Sequence, residues 1–69
     1  MPRKTKMTLQ ELKDDRWLKD ALNIDFAEVE KRVLAGEELV LEETVFSDAG
    51  SDYTALYLNN TNIAYIPGY

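Results

Sequence analysis

The chain has 69 residues and a formal net charge of −5, and it contains neither cysteine nor histidine. That length holds one domain, which must close without disulfides and without the commonest metal ligand and neutral-pH general base. The charge is asymmetric: residues 1–32 carry all eight basic and seven acidic side chains, whereas residues 33–69 carry six acidic ones and no Lys or Arg.

Arg3, Lys4 and Lys6 make residues 1–6 a basic stretch with no apolar run after it. It reads as a flexible tail rather than a secretory signal, with residues 7–69 as the domain. No apolar run approaches the length of a membrane span, so the expected location is cytoplasmic, without membrane contact. Asn59-Asn60-Thr61 fits a glycosylation sequon, which the cytoplasmic reading leaves unused.

Helix signals begin at Met7. Thr8 and Glu11 have the spacing of a capping box, flanked by Met7 and Leu12 as a hydrophobic staple. This predicts a helix from about Leu9 to Leu22. Its apolar stripe is broken by Lys13-Asp14-Asp15-Arg16, which implies either a kink or two short helices, the second capped by Asp14 or Asp15. Asp25 with Glu28, and Ile24 with Val29, repeat the start signature, and Gly36 supplies the stop. A second helix is therefore expected over about Phe26–Ala35.

From Leu39 the apolar period becomes two. One strand is expected from Leu39 to Phe46, a loop over Ser47–Asp52, a strand over Tyr53–Leu58, a tight turn at Asn59–Asn62 and a last strand over Ile63–Ile66. The expected fold class is α+β: two N-terminal helices on one face of a three-stranded antiparallel meander, ααβββ. Leu39, Leu41, Val45, Leu56 and Leu58 form the expected core face, against Phe26, Val29, Val33 and either Trp17 or Leu18. Glu43 shares that parity and breaks it, so a strand end or a bulge is expected there. Val40, Glu42, Thr44, Phe46, Tyr53, Ala55 and Tyr57 form an outer face that is both aromatic and acidic.

For catalysis the residues offer little. Glu42 and Glu43 point to opposite faces of a strand, and Asp48 and Asp52 lie on a short loop rather than in a cleft that tunes a carboxyl. The Asp48–Asp52 segment lacks the ligand spacing of a calcium loop, and three glycines supply no phosphate cradle. No catalytic, metal or cofactor residue is assigned, and the chain is expected not to be an enzyme. The candidate partner-binding residues are Glu37, Glu38, Glu42, Glu43, Asp48 and Asp52 for charge, with Tyr53 and Tyr57 as anchors. A strand advances about 3.3 Å per residue, so acidic side chains on one face repeat near the spacing of phosphates along a DNA strand. The opposing interpretation is a solvated acidic edge that prevents aggregation.

As a class, an acidic domain of this size with a helix pair and a meander ending in the segment from Leu56 to Ile66 resembles small bacteriophage accessory proteins of the anti-CRISPR and anti-restriction type. The resemblance implies a stoichiometric inhibitor, acting in the host cytoplasm, of a basic host protein such as a nuclease or another nucleic-acid-binding protein. It carries over no residue roles. Two alternatives stand beside it: a homodimer formed through the aromatic sheet face, and a DNA-binding regulator using the basic tail.

Overall fold

In the computed structural model, which describes residues 2–44 and 53–67, the chain is α+β. The elements in order are β1 (Pro2–Lys6), α1 (Leu9–Asp14), α2 (Arg16–Ala21), α3 (Phe26–Leu34), β2 (Leu39–Thr44), β3 (Tyr53–Leu58) and β4 (Thr61–Pro67). The four strands form one antiparallel sheet in the order β1-β2-β3-β4. Val45 and Phe46 of the expected first strand, and the whole expected loop, lie outside the described residues.

Two expectations are corrected. Residues 2–6 are an edge strand rather than a tail, so the sheet has four strands and not three. Lys4 pairs with Glu42, Thr5 with Leu41 and Lys6 with Val40, and the Met7 N–H extends the ladder to the Leu39 carbonyl at 2.9 Å. This strand has no apolar alternation. It is held by backbone bonds and by cross-strand charge pairing with β2, each such pair contributing about 0.2–1 kcal/mol. The two expected helices are also three among the described residues, because the first divides into two short ones, one of the two outcomes its broken stripe allowed. Asp15 ends α1 and begins α2, its extended backbone (φ −95°, ψ 93°) forming the break and its side chain accepting the Leu18 N–H at 3.1 Å.

The Thr8–Glu11 capping box forms: the Thr8 hydroxyl accepts the Glu11 N–H and the Glu11 carboxylate accepts the Thr8 N–H. At α3 the expected box does not. Asp25 occupies the N-cap position but its side chain makes no cap hydrogen bond, and only backbone bonds to its carbonyl close the first turn. At the other end of α3, Gly36 takes φ +105°. The Gly36 N–H donates to the Val33 carbonyl and the Glu37 N–H to the Arg32 carbonyl, the two bonds of a Schellman stop.

Leu12, Leu18, Val29, Leu39, Leu56, Leu58, Ile63 and Ala64 are buried together between the helices and one face of the sheet, with Phe26, Val33 and Leu41 packed around them. The choice between Trp17 and Leu18 is thereby settled: Leu18 is 2% exposed and Trp17 is 68% exposed. Neighbouring positions on a helix point about 100° apart, and α2 turns the Leu18 position to the sheet and the Trp17 position to solvent.

The hairpin between β3 and β4 turns on two residues. Asn59 (φ 50°) and Asn60 (φ 67°) both adopt the left-handed region that a type I′ turn requires. Thr61 and Asn62, expected in the turn, belong to β4. A bulge lies just beyond them, at a different place from the irregularity expected near Glu43. Leu56 pairs with Ala64 and Tyr57 with Asn62, so Ile63 is an extra residue on β4. The Asn62 side-chain amide spans the bulge, donating to the Leu56 carbonyl at 3.3 Å and the Ala64 carbonyl at 2.9 Å. The Ile63 carbonyl in turn accepts the Asn23 N–H at 2.8 Å, and Leu22 bridges Ala64. The segment after α2 thus covers part of the β4 edge, and Pro67 lacks an N–H farther along. At the opposite edge, β1 exposes Arg3, Lys4, Thr5 and Lys6. Both edges therefore carry the features that discourage further strand pairing.

Candidate functional site

The face of the sheet turned away from the helices is set by register. Lys4, Glu42, Ala55 and Tyr65 form one cross-strand row. Tyr53 and Thr44 lie to one side of that row, and Tyr57, Val40 and Lys6 to the other. Ala55 is 1% exposed in the middle of this arrangement, with Tyr53 and Tyr57 two positions away along its own strand. The described helices all pack on the opposite face.

Glu42 is the central polar group. It is nearly buried, with the Tyr53 hydroxyl donating to its Oε1 at 2.9 Å and the Lys4 ammonium 3.8 Å from its Oε2. Both partners compensate a carboxylate that would otherwise be costly to remove from water. Beside it, Lys4, Val40, Glu42, Tyr57 and Asn60 line a depression of about 270 Å³. Partial burial pushes the Tyr57 phenol above its ordinary titration range, and the nearby Glu42 charge and the Tyr53 phenol add to the effect. Farther along the face, the Tyr53 and Tyr65 rings lie 5.5 Å apart at 31°. Tyr65 is 53% exposed, the most exposed of the three tyrosines on this face.

The four described acidic residues singled out in the sequence have separate surroundings. Glu37 is turned back to α3: the Arg32 Nε donates to both its oxygens at 3.0 Å, and the Arg32 Nη2 lies 2.7 Å from Oε1. That hydrogen bonding raises the Arg32 guanidinium further above its ordinary range, against a smaller opposing effect of desolvation. Glu38 pairs with Lys6 at 3.3 Å. Glu43 is exposed on the helix-side parity, directly between Arg3 and Thr54 in register. Asp48 and Asp52 lie outside the described residues. Of the described candidates, Glu42, Tyr53 and Tyr57 are brought together. With β1 alongside, four carboxylates (Glu37, Glu38, Glu42, Glu43) and three cations (Arg3, Lys4, Lys6) leave this part of the chain at −1.

Sequence reasoning missed Tyr65 and Lys4. Strict alternation from the buried Ile63 would send Tyr65 inward; the bulge resets the parity and turns it out. Lys4 had a legible signal: the cationic pair Arg3-Lys4 can stand opposite the acidic pair Glu42-Glu43 of an antiparallel strand.

Among the described residues no group of three or more Asp or Glu is placed to hold a metal ion, and no helix is long and apolar enough to cross a membrane. What the face offers is contact chemistry: aromatic area, phenolic hydroxyls, and a carboxylate already held in position. No protein-family model, curated protein or solved structure matches the chain, so the resemblance to phage inhibitors rests on size, charge and outline alone.

Proposed function

We propose that this chain is a non-catalytic binding protein that engages a partner protein through the tyrosine-bearing outer face of its sheet. The observation that carries this reading is the convergence of Tyr53, Tyr57 and Tyr65 around the held Glu42 carboxylate on a face that no described helix covers. Tyrosine supplies broad, rigid contact area at a low cost in side-chain entropy, together with a hydroxyl that satisfies polar groups across an interface. The two protected sheet edges favour docking on the face over addition of a strand.

Inhibition of a host nucleic-acid enzyme, expected from the acidic stretch, is compatible with this surface but draws its support from a different property. A nucleic-acid mimic needs an uncompensated negative row, and Arg3, Lys4 and Lys6 lie along the row in question. Contact through the tyrosines instead predicts binding that depends weakly on salt.

The test compares wild type with Tyr65→Glu, an exposed substitution that leaves the core intact. Both are used to capture proteins from extract of the source cells, and both are studied by sedimentation. A protein retained by wild type and lost by Tyr65→Glu, with capture persisting at high salt, supports the reading. A concentration-dependent dimer abolished by the same substitution assigns the face to a second copy of the chain. Capture and sedimentation indifferent to Tyr65→Glu would remove the face as a contact surface.

A further inference from the structure

The tyrosine face carries a projection and a depression on opposite sides of its midline. Tyr65 stands out from β4, while the depression of about 270 Å³ lies toward the other edge, lined by Lys4 of β1, Val40 and Glu42 of β2 and Tyr57 of β3. The row Lys4, Glu42, Ala55, Tyr65 joins them: its first two members line the depression and its last is the projection. Between them the buried Ala55 adds no bulk that would hold an opposing face away. Lys4 is matched by Glu42 and Lys6 by Glu38, so these four groups cancel in charge.

In aligned packing of two such sheets, a two-fold axis between them runs either across the strands or along them. An axis across the strands lays β1 on β1 and sets Lys4 over Lys4 and Glu42 over Glu42, which like-charge repulsion opposes. An axis along the strands, between β2 and β3, lays β4 of each copy over β1 of the other. Tyr65 then arrives over Lys4 at the mouth of the depression, and Ala55 arrives over Glu42. The same contact is made twice, as a two-fold interface requires. With strands about 4.8 Å apart, the two β1 strands stay about 14 Å apart in projection, where repulsion between their cations is largely screened.

We infer that the partner received by the tyrosine face is a second copy of this chain, docked about a two-fold axis along the strands, with Tyr65 of each copy seated at the depression of the other. This rests on the reading of that face as the contact surface and names its occupant. The fit is chemical as well as geometric. The Tyr65 ring meets the exposed Lys4 ammonium, and its hydroxyl comes among the Glu42 carboxylate, the Tyr57 phenol and the Asn60 amide. The cancelled charges give a strongly acidic or basic partner no advantage here. They also let a chain of net charge −5 meet itself without setting its surplus carboxylates face to face.

Sedimentation of the full chain across a range of concentrations should show a reversible doubling of mass. Tyr65→Glu should weaken this association about tenfold or more, and Tyr65→Phe, which keeps the ring, much less. Far-UV circular dichroism verifies that both variants fold. A mixture of isotope-labelled and unlabelled wild-type chain reads the arrangement directly. Filtered NMR experiments should give contacts between the Tyr65 ring of one copy and the Val40 methyls or Tyr57 ring of the other. Added salt should leave the dimer intact, because it screens the repulsion between two copies of charge −5. A chain that stays monomeric at NMR concentrations, yet captures another protein and loses it on Tyr65→Glu, would overturn the second copy as occupant and leave the tyrosine face as a contact surface. A monomer whose capture is also indifferent to Tyr65→Glu would remove both. A dimer indifferent to Tyr65→Glu, dissolved by salt, or joined by contacts of Tyr65 with Tyr65 or Lys4 with Lys4 would overturn the inference as well.

Discussion

At Gly36 the backbone takes φ +105°, and a Cβ built there meets nothing within 4 Å. Space is therefore not the constraint; conformation is. Gly36→Ala forces an L side chain into a region it rarely adopts and weakens the Schellman stop of α3. The expected loss is about 1 kcal/mol, read as a lower urea midpoint with an unchanged slope. Tyr57 supplies a second residue-level test. Its phenol titrates above the ordinary value of 10.0 because partial burial and the Glu42 charge disfavour the phenolate. The folded protein therefore holds this proton when the unfolded chain has begun to lose it. The contribution is intact below 10.0 and falls away as pH rises from there through the raised value. Tyr57→Phe should flatten that decline, seen by comparing urea unfolding at about pH 9 and about pH 11 in the two proteins. A decline equally steep in both would show that Tyr57 is not its source. Gly36 was readable from its position after an amphipathic stretch. The Tyr57 shift was not, because it arises first from burial on the assembled sheet and then from the Glu42 charge that strand pairing places nearby.

Among the elements, β1 separates sequence from structure most clearly. Arg3-Lys4-Thr5-Lys6 has no apolar alternation, so periodicity marks it as a tail. Its role as a strand depends on β2, some 38 positions farther on in the Lys4–Glu42 pair. Deleting residues 1–6 tests this. Loss of a mere tail would leave stability unchanged; loss of an edge strand removes a ladder of backbone bonds and the Lys4–Glu42 and Lys6–Glu38 pairs. The expected destabilisation is at least about 2 kcal/mol, with Glu42 left without its cation and β2 newly exposed as an edge. The break at Asp15 was legible because it is local: a run of four charged residues interrupts the apolar stripe, and an aspartate can cap the next helix. Likewise β3 matches its expected bounds, Tyr53–Leu58, because strand patterning and the asparagine turn both lie within a few residues of one another. The Ile63 bulge has no comparable local mark, and with it went the orientation of Tyr65.

Across the whole molecule, the net charge of −5 has a different geography in three dimensions than along the chain. In sequence the excess sits in residues 33–69; in space β1 returns three cations alongside β2, which carries Glu42 and Glu43 and follows directly on Glu37 and Glu38. Among the described residues the acidic sheet is thereby nearly neutral. Binding at the tyrosine face is accordingly expected to respond only weakly to salt. Composition and short-range pattern alone determined the α+β class, the helix cap at Thr8, a break within residues 13–16, the stop at Gly36 and a turn beginning at Asn59, since each depends on groups within a few bonds of one another. Tertiary structure decided that residues 2–6 are a strand, that Leu18 rather than Trp17 is buried, that Tyr65 faces outward, and which carboxylates are neutralised. Those outcomes arise from pairing between distant segments, whose register sets each side chain's neighbours and whose energy no local window of the chain contains.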